Sequence, residues 1–153
     1  MGFITTKENK RMKEAAFGVV ILGQCCLASS LKETAEMMLG PQKHIYAVDI
    51  APHFSQNEAM MAMQTALDAL QSYPFTIILV DIFGATPCNI AMQFFKRHHI
   101  EILAGMNLPM LVKLIEMRNS NDIITLLDEA QNAGHRYLVS CADMVSSRPS
   151  IMQ

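Results

Sequence analysis

Residues 18–40 read GVVILGQCCLASSLKETAEMMLG, and this stretch decides the fold. Together with the preceding Phe17 it begins as an unbroken apolar run to Leu22, which is typical of a strand buried on both faces. After a short turn at residues 23–27, apolar side chains recur at helical spacing, at Ala28, Leu31, Ala35 and Met38. Gly40 and the proline after it end this predicted helix. A buried strand followed directly by an amphipathic helix is the repeating unit of an α/β domain.

The same alternation continues along the chain. Further strands are predicted at residues 44–50, 75–80 and 100–104, and helices are predicted from a capping box at 55–58 to about 70, at 86–97, at 109–117 and at 122–133. Thr86 is predicted as an N-cap, Gly134 as the end of the last helix, and Arg136–Cys141 as a short final strand. Strands separated by helices favour right-handed crossovers, so we expect an α/β fold with an open, mostly parallel sheet covered by helices on both faces.

Length and composition indicate one domain. The chain has 153 residues, of which 51% are hydrophobic and 17% charged, so a disordered chain is excluded. We divide it into an N-terminal extension at 1–15, a domain at 16–142 and a tail at 143–153. The net charge of −2 argues against nucleic-acid binding. No signal peptide or membrane span is visible, which predicts a cytoplasmic protein, and the four cysteines lack the spacing of a metal site, so no metal or cofactor is expected.

In such folds the ligand site lies beyond the carboxyl ends of the strands. That rule selects two loops, Gly23–Leu27 and Asp81–Thr86. Asp81 ends a buried strand and precedes a predicted helix start, where Gly84, Ala85 and Thr86 would surround an anion. An ordinary strand-to-helix turn explains the second loop equally well from spacing alone. The glycine motifs of dinucleotide sites and P-loops, and the nucleophile elbow of hydrolases, are absent from the sequence.

Four blocks of the sequence resemble the enzyme IIA component of the mannose-family bacterial sugar phosphotransferase system (PTS). They are residues 18–40, quoted above, LVDIFGATPCN (79–89), AGMNLPML (104–111) and EAQNAG (129–134). They follow the family's order over most of the chain. The resemblance implies a phosphoryl carrier that takes phosphate from the phosphocarrier HPr onto a histidine and passes it to enzyme IIB, with the membrane permease involved only indirectly.

The resemblance also implies details of the fold. The family sheet has the order 2-1-3-4, and a fifth, antiparallel strand is usually exchanged between the subunits of a homodimer. In this chain that strand would be Arg136–Cys141.

The chain departs from the family pattern at the residue that carries the chemistry. Gln24 occupies the position of the phosphorylated histidine, and a neutral amide does not form a stable phosphoramidate. Cys25 and Ala85 also replace small family residues, whereas the partner aspartate, Asp81, is retained. So are Gly84, Thr86, Pro87 and Asn89.

Three explanations of Gln24 stay open: a natural loss of phosphoryl transfer, an engineered block, or a different acceptor. His53 follows the second strand and could approach Gln24, and Cys25 or Cys26 could act as thiolate nucleophiles, although we expect these two thiols to be buried and structural. His44, His98 and His99 lie at the wrong edge of the sheet, and the position of His135 depends on the dimer. The functional hypotheses are therefore an impaired enzyme IIA, a non-catalytic regulatory module derived from one, and, more distantly, a flavodoxin-like ligand binder.

Overall fold

The structure, a computed structural model, describes residues 15–97 and 99–146. Its centre is a four-stranded sheet in the order β2-β1-β3-β4, and every neighbouring pair of strands is parallel. The strands are β1 (Gly18–Gln24), β2 (Ile45–Ile50), β3 (Thr76–Val80) and β4 (Ile100–Ala104). The predicted fold class and strand order are confirmed.

Six helices are present in the described part of the chain. They are α1 (Leu27–Leu39), α2 (Gln56–Ala69), α3 (Thr86–Met92), α4 (Leu108–Glu116), α5 (Ile123–Arg136) and α6 (Cys141–Ser146). None of them combines the length and the apolar character that a membrane crossing requires.

Successive residues of β1 face opposite sides of the sheet, and each side has its own apolar core. Val19 and Ile21 contribute to the core that is covered by α1, α4 and α5. Val20 and Leu22 contribute to the other core, which is covered by α2 and α3. All four side chains are fully buried, because β1 has a strand on each side and helices on both faces. The continuous apolar run in the sequence thus reflects burial on both faces.

The predicted end of the last helix is wrong, because α5 continues through Gly134 to Arg136. Gly134 is buried, and a Cβ atom built on it would lie 3.0 Å from Nδ2 of Asn107 and 3.2 Å from Cε of Met110. The glycine allows α5 to approach the start of α4 closely.

The predicted strand Arg136–Cys141 does not form in the single chain. Arg136 belongs to α5, Tyr137 is its C-cap, and Cys141 begins α6. A strand needs a neighbour for its main-chain hydrogen bonds, and no strand of the described chain pairs with this segment. Exchange of the segment between two subunits stays a prediction.

Smaller differences concern segment ends. Thr86 is the first helical residue of α3 rather than its cap, and the helix ends at Met92 instead of Arg97. Beyond Met92 the chain continues in turns, in which Phe94 N–H donates to the Ala91 carbonyl at 2.9 Å. Most of the predicted extension at 1–15 and the end of the tail at 147–153 lie outside the described residues. The start of that tail belongs to α6.

Candidate functional site

Two neighbouring strands bring Gln24 and Asp81 together at the carboxyl edge of the sheet. Gln24 is the last residue of β1, and Asp81 follows the last residue of β3. The main-chain N–H of Gln24 donates to Oδ2 of Asp81 at 3.3 Å, and the N–H of Ile82 donates to Oδ1 at 2.8 Å. The predicted proximity is confirmed, and the contact uses the main chain of Gln24. The Gln24 side chain is exposed and takes no part in this hydrogen bond.

The position of Asp81 is fixed from a third strand as well. Beyond β4, the N–H of Gly105 donates to the carbonyl of Asp81 at 3.0 Å, and the N–H of Met106 donates to the carbonyl of Val80 at 3.0 Å. Its carboxylate and its carbonyl therefore both accept hydrogen bonds from ordered main chain. This network keeps the carboxylate at the strand end whatever residue stands at position 24.

The loop after Asp81 turns sharply into α3. Gly84 has a φ of +83°, a left-handed conformation that glycine adopts without strain. Its carbonyl accepts a hydrogen bond from Nδ2 of Asn89 at 3.2 Å, which ties the loop to the helix. No side chain caps α3 at Ala85, and Thr86 is exposed. The residues proposed to surround a phosphoryl group therefore lie on one ordered loop beside Asp81.

Asp49 is a site residue that the sequence reasoning missed. It stands opposite Gly23 in the register of β1 and β2, and its Oδ1 accepts hydrogen bonds from the N–H groups of Ala28 at 3.0 Å and Ser29 at 3.1 Å. A carboxylate from the neighbouring strand thus caps α1, where the preceding Cys26 provides no side-chain cap. An acidic residue near the carboxyl end of an otherwise apolar strand was the available signal.

The two adjacent cysteines are exposed, so the expectation of buried structural thiols is wrong. Cys25 has a φ of +53°, and its N–H donates to the carbonyl of Ile50 at 2.9 Å. Cys26 precedes α1, and its carbonyl accepts from the N–H of Ser30 at 3.0 Å. The chain leaves the sheet at this point to enter the helix, which exposes both side chains.

The histidines divide between the two edges of the sheet. His44 and His99 lie at the amino edge, where their carbonyls accept hydrogen bonds from Val19 and Thr76, as predicted. His53 is exposed in the turn after β2, with its ring edge-on to Phe54 at 5.4 Å. In the described part of the chain no hydrogen bond or ring contact joins it to Gln24 or Asp81. His135 is exposed on α5, and His98 lies outside the described residues.

Apolar and polar surfaces adjoin the site. Ile82 and Phe83 are 65% and 81% exposed, so two adjacent large apolar side chains reach the surface beside Asp81. Between α2 and α3 lies a groove of about 320 Å³, lined by residues that include Thr86, Asn89 and Phe54.

Within residues 15–97 and 99–146, no group of three or more His, Cys, Asp or Glu side chains is placed to hold a metal ion.

Comparison with known proteins agrees with this architecture. Residues 18–131 match the family model EIIA-man, described as "PTS system fructose IIA component". The chain is 29% identical over 116 residues to the "PTS system mannose-specific EIIAB component" of Escherichia coli (strain K12); the match covers 72% of this chain and 36% of that protein. The chain thus spans about a third of that relative. It is 28% identical over 130 residues to the "PTS system fructose-specific EIIA component" of Bacillus subtilis (strain 168), with 82% and 86% covered.

A solved structure shares the fold. The crystal structure of phosphotransferase system component EIIA from Streptococcus agalactiae superposes with a TM-score of 0.75 at 20% identity, covering 83% of this chain and 98% of that one. This chain has an open parallel sheet with Asp81 at its carboxyl edge. The family model matches most of its length. The protein belongs to the EIIA-man family.

Proposed function

We propose that this chain is an enzyme IIA component of the mannose family in which phosphoryl transfer between HPr and enzyme IIB is impaired, because Gln24 stands where the family's acceptor histidine stands. The observation that carries the proposal is the contact between the Gln24 main chain and the Asp81 carboxylate at 3.3 Å. It supports the assignment of position 24 to the phosphoryl site. A cytoplasmic location, where HPr would be met, is part of the same proposal.

The chemistry follows from the side chains. A histidine at position 24 would present a basic nitrogen with a lone pair, and an adjacent carboxylate would fix its tautomer. The glutamine side chain ends in a neutral amide that lacks such a nitrogen. The other groups that a phosphoryl carrier would need at this site are ordered. Asp81 accepts main-chain hydrogen bonds, and Gly84, Ala85 and Thr86 lie on an ordered loop.

Intact-mass measurement tests the proposal directly. The unmodified full chain is incubated with phosphoenolpyruvate, enzyme I and HPr, and the mass of HPr in the same mixture shows that the donor is charged. We expect no phosphoryl group on the chain. A stoichiometric gain of one phosphoryl group would contradict the proposal, and mapping would then begin with His53 and Cys25, the two candidate surrogate acceptors.

The alternative function is a regulatory module that binds PTS partners without carrying phosphate. The exposure of Ile82 and Phe83 beside the site favours it, because apolar side chains grouped on a surface are typical of protein contacts. Titration of isotope-labelled chain with unphosphorylated HPr and with phospho-HPr tests this alternative. Binding that leaves the chain unphosphorylated supports the module, and a chain that binds neither form of HPr contradicts it.

A further inference from the structure

The turn between β1 and α1 carries two adjacent cysteines whose thiols the proposed site does not use. Cys25 and Cys26 are both free and exposed. Of the other two cysteines, Cys88 is buried, and Cys141 is exposed at the start of α6. Cys25 and Cys26 are thus the only neighbouring pair of thiols in the sequence.

Main-chain hydrogen bonds hold this turn on both sides of the pair. The N–H of Cys25 donates to the carbonyl of Ile50 at 2.9 Å, which joins the turn to β2. The carbonyl of Cys26 accepts from the N–H of Ser30 at 3.0 Å and from Oγ of Ser29 at 3.2 Å, which joins it to α1. The backbone of the two cysteines is therefore ordered before any ligand arrives, and binding would cost mainly side-chain rotamer entropy.

We propose that Cys25 and Cys26 form a two-thiolate binding site for a soft, thiophilic centre, such as trivalent arsenic or copper(I). Thiolates are the protein ligands that prefer soft centres. Zinc is disfavoured, because it takes three or four protein ligands, and no third His, Cys, Asp or Glu joins the pair in the part of the chain that the structure describes.

The reaction with an aryl arsenical balances without a change in oxidation state. Two As–S bonds form, and two As–O bonds of the hydrated arsenical break. The two thiol protons leave with the oxygens as two molecules of water. Arsenic stays trivalent, so neither an oxidant nor a reductant is needed.

Adjacency favours a shared ligand over a disulfide. The Cα atoms of neighbouring residues are about 3.8 Å apart across a trans peptide bond, whereas disulfides usually join Cα atoms about 4.4 to 6.8 Å apart. A disulfide between Cys25 and Cys26 would therefore strain the turn. A ligand atom bonded to both sulfurs allows a larger separation between them and avoids that strain. Adjacency also gives the second thiol a high effective concentration, which in linked systems raises affinity by about 10²- to 10⁴-fold.

Phenylarsine oxide is the first probe. The reduced full chain is titrated and its mass measured, in parallel with the variants Cys25→Ser, Cys26→Ser and, as the matched control, Cys141→Ser. We expect the unmodified chain and Cys141→Ser to bind one equivalent about 100-fold more tightly than either variant of the pair. A dithiol such as 2,3-dimercaptopropanol should remove the probe, and a monothiol at the same thiol concentration should not. Equal affinity of Cys25→Ser and the unmodified chain would contradict arsenical binding by the pair.

Copper(I) is the second probe, titrated without oxygen against a chromogenic chelator. Binding of either probe that requires both Cys25 and Cys26 supports the site. The probe that binds shows which soft centre, trivalent arsenic or copper(I), the two thiols prefer. Binding of neither probe overturns the proposal. Circular dichroism verifies that the serine variants fold, which we expect because both side chains are exposed.

A ligand bound to Cys25 and Cys26 would lie beside Gln24, at the edge of the sheet where a PTS partner would dock. The bound ligand would therefore block docking, and this consequence alone rests on the proposed function. The two probe titrations involve neither HPr nor phosphate. Phosphorylation of the unmodified chain would therefore contradict the proposed function and leave the dithiol site standing, and a failed titration would do the reverse.

Discussion

Gln24 ends β1 at the carboxyl edge of a sheet that has the fold of the EIIA-man family, and in the proposed function it replaces the acceptor histidine. Asp81 accepts its hydrogen bonds from main-chain N–H groups, including that of residue 24 itself. Those bonds come from the main chain and do not involve the side chain at position 24. The proposed loss of transfer is therefore a loss of one functional group.

The variant Gln24→His should regain phosphorylation. Phosphoryl transfer depends mainly on positioning and charge stabilisation, and Asp81 and the loop at Gly84–Thr86 are in place for both. We expect one acid-labile phosphoryl group from phospho-HPr, measured by intact mass.

The control is Gln24→His combined with Asp81→Ala, in which the imidazole loses its orienting carboxylate. We expect the rate of phosphorylation to fall by at least about 10- to 100-fold, the loss that follows when the carboxylate partner of a metal-binding histidine is removed. A Gln24→His chain that stays unmodified while HPr is fully charged would show that Cys25 or Ala85 has altered the site as well, and would favour the regulatory module.

His44 makes the stability of the fold depend on pH. The side chain is 3% exposed, and its Nε2 has no hydrogen-bond partner in the part of the chain that the structure describes. Burial together with the positive charge of Arg118 lowers its pKa to about 4. The unfolded chain takes up the proton near pH 6.5. Between these values the unfolded state binds more protons, so the free energy of unfolding decreases as the pH falls from 6.5 to 4, by up to about 3 kcal/mol.

Urea unfolding at pH 7, 5.5 and 4.5 measures this dependence. The variant His44→Leu should show a smaller decrease over the same range, because it has no imidazole to protonate. His53→Ala is the matched control and should keep the dependence, because His53 is exposed. Equal pH profiles for His44→Leu and the unmodified chain would contradict the assignment.

At the scale of secondary structure, the contact between α4 and α5 explains why a glycine stands inside a helix. Asn107 caps α4 by accepting from the N–H of Met110 at 3.1 Å, and its Nδ2 lies 3.4 Å from the carbonyl of Gly134. The Asn107 side chain is thus held by interactions at both of its polar atoms. It has little freedom to move away from an added methyl group on α5.

The variant Gly134→Ala should therefore destabilise the protein. Alanine would gain up to about 1 kcal/mol in helix propensity, but its Cβ would lie 3.0 Å from Nδ2 of Asn107, and overpacking of this kind costs about 1 to 3 kcal/mol. We expect a net loss of about 1 kcal/mol in the free energy of unfolding, measured with urea.

Asn132→Ala on the same helix is the control for helix propensity, because Asn132 is exposed. It should leave stability unchanged or raise it by less than about 0.7 kcal/mol. A Gly134→Ala variant as stable as Asn132→Ala would mean that the α4–α5 contact adjusts without cost.

At the scale of the whole molecule, the segment after α5 exposes apolar side chains. Tyr137, Leu138 and Val139 are 67%, 72% and 54% exposed, and within the described residues β4 ends the sheet with one edge unpaired. Unpaired sheet edges and apolar segments favour association with a second copy. We predict a homodimer in which this segment contributes to the interface.

Sedimentation of the full chain at micromolar concentration checks this prediction. The double variant Leu138→Asp/Val139→Asp should weaken the dimer by at least about tenfold, because two charges would be buried in the interface. Ile124→Asp, at an apolar position that is 77% exposed at the other end of α5, should leave association unchanged. A monomeric unmodified chain would contradict the prediction.

Local patterns in the sequence were enough to predict the layout of the fold. The apolar runs of β1 and β3, the helical spacing in α1 and the capping box at Ser55–Glu58 all involve residues close together in the chain, and the structure confirms each of them. The place of Gln24 and Asp81 at one edge followed from the general rule for parallel sheets. Periodicity carries this information because the geometry of a strand or a helix depends on neighbouring residues.

Only the tertiary structure decided features that depend on residues far apart in the sequence. Asp49 caps a helix that begins some twenty residues earlier, and Gly134 lies inside a helix where Asn107 leaves little room for a Cβ atom. The segment after Arg136 has no strand partner among the described residues, and Cys25 is exposed because the chain leaves the sheet there. Each outcome depends on what another element places next to the residue, which no pattern of neighbouring residues specifies. The two loops at the carboxyl edge were therefore predictable from the sequence, and the contacts between them depend on packing.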